Sequence, residues 1–255
     1  MKQEKTKLSV NINKIATLRN ARGKNVPDLI HFAKIILKSK VCGLTVHPRP
    51  DSRHILYKDV FNLSELLKNY PNKDLNIEGY PSDEFIELVK QVQPQQCTLV
   101  PDTPEVLTSN AGWNFTENKL LLKHITQELK ISQIRVSLFL DPFTMDNKQY
   151  RALKSITPDR VELYTETYAE NYANQDKSRF LEKYKQCSNQ VNQLNIQVNA
   201  GHDLNQQNLF ELLKAIPHIK EVSIGQALIA EALEEGILTT INNYIKIIDK
   251  AFEKS

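Results

Sequence analysis

Eight short runs rich in Val, Ile, Leu and Thr recur along this 255-residue chain, and a helix-like stretch follows each of them. The runs are Leu8–Ile12, Gly43–His47, Leu75–Gly79, Gln96–Val100, Ile134–Leu140, Arg160–Thr165, Asn195–Ala200 and Glu221–Gly225. Their length and composition suit buried parallel strands. The stretches between them carry apolar residues at helical spacing, as with Leu29, Phe32, Ala33, Ile36 and Leu37 in Asp28–Ser39. The others are Tyr57–Lys68, Ser82–Val92, Thr116–Leu129, Asp146–Ile156, Asp176–Gln193, Leu204–Ile216 and Ile237–Phe252. Asp28, Ser82 and Asp203 stand where helix caps or first-turn acids belong. Strict strand–helix alternation requires parallel strands joined by crossover helices. Eight such units in this length predict a closed α/β barrel, a (β/α)₈ fold. No Gly-rich dinucleotide fingerprint follows the first run to favour an open doubly wound sheet. No linker or composition break interrupts the pattern, so residues 1–255 are expected to form one domain.

Composition narrows the function classes. There are 33 basic and 30 acidic residues, and a net charge of +3 is too balanced for a nucleic-acid or membrane-surface protein. The charged start lacks a signal peptide's apolar run, and no segment approaches the roughly 18 uncharged residues of a membrane span. Cys42, Cys97 and Cys187 match no metal-ligand spacing and read as small buried thiols in a reducing compartment. A cytoplasmic protein with a local pocket for small anions fits these observations.

In a barrel, catalytic groups sit at the C-terminal ends of the strands and in the loops just beyond. The first such exit carries Asn11, Asn13, Lys14, Arg19 and Arg22 in a basic loop that could cradle phosphate. The second, His47-Pro48-Arg49-Pro50-Asp51-Ser52-Arg53-His54, packs four cationizable groups into eight residues. Histidine has the side-chain pKa best suited to proton transfer near neutrality. Glu78 ends the third strand, Thr108 follows the fourth, and Glu162 lies in the sixth. Gly201-His202-Asp203 leaves the seventh, where an imidazole and free backbone N–H groups can be presented together. Gly225-Gln226 leaves the eighth and opens a helix, a usual place for a barrel to grip phosphate. His31, His124 and His218 fall on helix faces or outer loops and read as structural.

The segments VNINKIATLRNARG, LTVHPRPDSRHI, NIEG, LVPDTPEVLTSNAGW, VELYTETYA, VNAGHDL and VSIGQALI resemble, in order, the signature blocks of the pyridoxine 5′-phosphate synthase family. They span the chain from the first strand to the eighth. The resemblance implies a (β/α)₈ TIM barrel with additional helices, a homo-octamer, and no metal or organic cofactor. It implies condensation of 3-amino-2-oxopropyl phosphate with 1-deoxy-D-xylulose 5-phosphate, yielding pyridoxine 5′-phosphate, inorganic phosphate and water. It makes His47 and Glu78 the bases and His202 the proton donor. Asn11, Arg22, Asp203, Gly225 and Gln226 would hold the aminoketone phosphate; Asn13, Lys14, Arg49, His54 and Thr108 the deoxyxylulose phosphate. Glu162 would be a further pocket carboxylate.

Three positions depart from the family's pattern. Asn13-Lys14 stands where many members have Asp-His, and Gln226 replaces a His. Asp203 replaces the more usual Gly, where its carboxylate would repel phosphate unless turned away to cap the seventh helix. Two other functions fit the same barrel. One is a phosphosugar isomerase or aldolase, although no strand exit clearly shows a Schiff-base Lys or metal-ligating carboxylates. The other is a non-catalytic descendant that binds a phosphorylated ligand.

Overall fold

A computed structural model of the chain describes residues 4–101, 111–174 and 177–253. Eight parallel strands close into a barrel in sequence order, with β8 paired to β1. They are β1 (Lys7–Asn11), β2 (Gly43–Val46), β3 (Asp74–Gly79), β4 (Gln96–Leu99), β5 (Arg135–Leu140), β6 (Arg160–Leu163), β7 (Gln197–His202) and β8 (Ile219–Ile224). The crossover helices include α2 (Leu29–Leu37), α3 (Tyr57–Leu67), α4 (Asp83–Val92), α5 (Lys119–Ile131), α6 (Asn147–Ile156), α8 (Lys177–Gln193), α9 (Leu209–Ala215) and α11 (Ile237–Phe252). Three further helices, α1 (Asn13–Asn20), α7 (Glu166–Glu170) and α10 (Gln226–Glu235), follow strand exits. This is a TIM barrel. Among the described residues, no helix is long and apolar enough to cross a membrane.

Side chains alternate along each strand. One set, including Leu44, Val46, Leu75, Ile77, Val136, Leu138, Val222 and Ile224, is fully or almost fully buried and forms the core with the helices. The other set is polar and faces the lumen. Ser9 Oγ and Thr45 Oγ1 lie 2.9 Å apart, and Thr98 Oγ1 donates to Asn76 Oδ1 at 2.9 Å. A lattice closes the N-terminal end of the lumen: Arg160 Nη1 donates to Glu221 Oε2 at 2.9 Å and to Gln96 Oε1 at 3.0 Å. Arg135 donates to Gln96 and Asp74. Asn11, Glu78 and Glu162 belong to the same lumen-facing set by strand register.

Asp28 caps α2 by accepting from the Ile30 and His31 amides, and Ser82 caps α4 through the Phe85 amide. Three expectations need correction. The basic loop after β1 is helix α1, because Ile15 and Ala16 bury an apolar face and Asn11 Oδ1 accepts from the Asn13 amide. Within it, Arg19 is buried and makes two 2.7 Å bonds to Asp59 of α3, so it joins helices rather than cradling an anion. The helix expected over Leu204–Ile216 starts only at Leu209. The Asn205 carboxamide accepts from the Gln207 and Asn208 amides, and Asn208 accepts from the Asn205 amide, holding a turn instead. Asp203 therefore caps no helix.

Candidate active site

The C-terminal strand ends enclose a cavity of about 340 Å³. Its wall includes Asn11, Asn13, Lys14, His47, Arg49, His54, Glu78, Glu162, His202, Asp203, Gly225 and Gln226. Six separate chain segments thus bring together most of the groups singled out from sequence. Arg22 is exposed in the turn after α1 and is not part of this wall. Thr108 lies outside the described residues. The cavity also takes in Arg53, one of the four cationizable groups of the second exit, and Thr17, Val100, Phe139 and Ser223, which sequence reasoning did not assign to the site. Phe139 and Ser223 share the lumen-facing register with the site residues, and that periodicity was the signal for them. A wider depression of about 620 Å³ at the opposite end is lined by Lys130, Arg135, Asp159 and Gln197. It sits at strand N-termini, where barrels keep stability rather than chemistry.

The His47 wall is cationic. Asn13 Oδ1 accepts from the His47 amide at 2.9 Å, so the first turn of α1 fixes the exit of β2. Burial, with His54 and Arg49 nearby, lowers the His47 pKa to about 3. Burial, with Arg49 and Lys14 nearby, lowers that of His54 to about 4. The His54 Nδ1 accepts from the Ile55 amide at 2.9 Å, which leaves the ring proton on Nε2. Both imidazoles are neutral at pH 7, and a neutral His47 can accept a proton.

The opposite wall is built for the reverse. His202 packs edge-on to Tyr164 and near Phe139, with ring centroids 5.7 and 6.1 Å away. Burial disfavours its charged form, but the Asp203 hydrogen bond and the charges of Asp203, Glu78 and Glu166 outweigh it and raise the pKa. His202 Nδ1 lies 2.8 Å from Asp203 Oδ2.

Two glutamates occupy the floor. Asn11 Nδ2 donates to Glu78 Oε2 at 3.4 Å. Glu162 is 3% exposed, and burial, Glu78 and Glu221 push its pKa well up, which favours its protonated form. Gly201 makes room for it, since a Cβ there would lie 2.6 Å from Glu162 Oε1. Gly225 is also tightly placed, since a Cβ there would lie 3.0 Å from the Asn11 side chain. Gly225 and Gln226 open α10, whose first backbone N–H groups favour an anion. Among the described residues, no group of three or more His, Cys, Asp or Glu is arranged to hold a metal ion. None of the three cysteines is in a disulfide: Cys97 and Cys187 are buried and Cys42 half-buried.

A closed barrel with acid and base groups gathered at its C-terminal mouth defines a TIM-barrel enzyme. Solved structures agree on the fold: tryptophan synthase α-subunits from Pyrococcus furiosus superpose with TM-scores of 0.60 and 0.62 at 13% and 12% identity. The match covers 96% of this chain and 97% of each of those. Residues 8–250 match the family described as pyridoxal phosphate biosynthesis protein PdxJ, and the chain belongs to that family. Relatives named pyridoxine 5′-phosphate synthase include one from Christiangramia forsetii, 44% identical over 95% of this chain and 99% of its own length. Another, from Porphyromonas gingivalis, is 46% identical over 94% and 97%.

Proposed function

We propose that the chain is a pyridoxine 5′-phosphate synthase that joins 3-amino-2-oxopropyl phosphate to 1-deoxy-D-xylulose 5-phosphate, releasing inorganic phosphate and water. The observation that carries this is the division of labour in one cavity: a neutral His47 and a His202 held toward its charged form. Joining an amine to a ketone and closing an aromatic ring needs several proton transfers, with bases and an acid together. His47 and Glu78 take protons from nitrogen and carbon, and His202 delivers one to a departing oxygen. Glu162, whose burial favours the protonated form, donates from that form a hydrogen bond to developing negative charge.

Two phosphates need two grips. Lys14, Arg49 and His54, with Asn13, line one side of the cavity and suit the deoxyxylulose phosphate. The amides of Gly225 and Gln226, with Asn11 and the backbone N–H of Asp203, suit the aminoketone phosphate. Arg22 and Thr108 would complete these grips from outside the described wall. In the same proposal residues 1–255 are one domain, and the protein works in the cytoplasm as a homo-octamer. The exposed Leu18, Val26 and Phe61 supply apolar surface that self-association would cover.

Omission assays test the proposal. The purified chain is given each substrate alone and then both, and ring formation is followed by absorbance. Product should form only with both. Turnover of one substrate alone would instead mark an isomerase or aldolase, and no turnover with either or both a binding protein.

A further inference from the structure

Asp203 sits beside the proposed proton donor, and its carboxylate has no helix to cap. The turn that precedes α9 is held by Asn205 and Asn208 instead. Asp203 meets that turn through its backbone carbonyl, which accepts from Asn208 Nδ2 at 3.2 Å. Its side chain turns back to His202 Nδ1, 2.8 Å away. His202 itself has φ +69°, a left-handed backbone that residues with a Cβ rarely adopt and that tends to persist where function holds it. This backbone ends β7 with the imidazole against Tyr164 and Phe139 and at the cavity wall.

We propose that Asp203 is a positioning residue: it forms an Asp–His dyad with His202 that holds a hydrogen on Nδ1, so that Nε2 is the nitrogen that takes up the donor proton in the imidazolium and gives it to substrate. The inference rests on His202 being the proton donor of the proposed function. An ionised carboxylate can only accept, so Nδ1 carries a hydrogen toward Asp203 and Nε2 is the remaining nitrogen. The pairing also explains how an acid is tolerated at a mouth that binds phosphate. Its negative charge is matched by the imidazolium rather than presented to the ligand. The other titratable groups facing His202 are Glu166 on α7, Glu78 at the end of β3, His47 beyond β2 and the Tyr164 phenol. The two glutamates favour the charged ring and His47 opposes it when protonated. Asp203 is hydrogen-bonded to it, at 2.8 Å.

Asp203→Asn keeps the shape and an acceptor but removes the charge. Two readouts separate the dyad from the reaction. In nitrogen-15 NMR of the full chain, the His202 ring should titrate about one pH unit or more lower in the variant. In the pH profile of kcat with both substrates, the alkaline limb should move down by a similar amount. Asp203→Glu, which can restore charge and contact, should recover part of both. An unmoved His202 titration would overturn the dyad, and a moved titration with an unmoved alkaline limb would overturn its role in proton donation. A parent chain that makes no product would sink the proposed function and the catalytic role with it, while the NMR shift would still decide the pairing.

Discussion

Burial pushes His47 and His202 alike toward the neutral ring, and the charges beside each decide the outcome. His54 and Arg49 reinforce burial at His47, whereas Asp203, Glu78 and Glu166 reverse it at His202. Glu78 lies within hydrogen-bond reach of Asn11 at the cavity floor, so Glu78→Gln removes a base while keeping a similar shape. Turnover should fall by about 10²-fold or more with KM little changed. Steady-state kinetics would show this, and near-normal turnover would remove Glu78 from the chemistry. Gln226 offers a second test. It is exposed at the first position of α10, where a neutral amide adds about 0.5–1.5 kcal/mol and a protonated imidazole about 1.5–3. Gln226→His should tighten aminoketone-phosphate binding several-fold below about pH 6 and lose that gain as the ring becomes neutral. Calorimetric titration at two pH values decides it, and unchanged affinity at the lower pH would mean that backbone donors hold the phosphate alone. Most charged members of the site were legible because each stands at a strand exit. The position of Arg22 outside the cavity wall was not legible, since exposure beyond a helix end leaves no mark in a basic segment.

At the level of elements, the strands were the most legible. Their outward faces must be apolar to seat helices, which leaves Val, Ile and Leu at regular intervals. Helix α1 was hidden because its eight residues carry only a short apolar face among Asn, Lys and Arg. The turn before α9 was hidden because a strongly apolar stretch continues beyond it, while two Asn side chains decide the local backbone. Contacts between distant segments left no trace at all. Arg19 and Asp59 are 40 residues apart, both buried, and joined by two charge-assisted bonds. Removing one partner of such a pair costs about 3–5 kcal/mol, because the other charge is left buried. Arg19→Ala should therefore lower the unfolding free energy by about that amount in urea titrations. A loss below about 1 kcal/mol would show that Asp59 is satisfied by the Leu56 amide alone.

Across the whole molecule, the polar lumen was the largest feature not foreseen. Ser9, Thr45, Thr98, Ser137 and Ser223 sit in strands whose Val and Leu neighbours dominate the pattern, and Thr is itself a good strand former. Which face of a strand turns inward depends on barrel closure. One consequence is global. His47 and His54 titrate near 3 and 4 in the folded chain, below the usual 6.5, so the unfolded chain binds more protons between those values. Stability contributed by the neutral rings is present above about pH 6.5 and is lost as pH falls through that window. Unfolding free energy measured across pH 3–7 should fall on acidification, and His47→Asn should flatten the curve. An equal acid sensitivity in that variant would place the effect elsewhere.

Phosphorus-31 NMR of the purified chain with both phosphorylated substrates tests the central claim most directly, because it reads both proposed products at once. Inorganic phosphate and the phosphate ester of pyridoxine 5′-phosphate should grow together in a one-to-one ratio, and only when both substrates are present. Phosphate release without the new ester, or no change in either substrate's signal, would contradict the assignment of this barrel to ring synthesis.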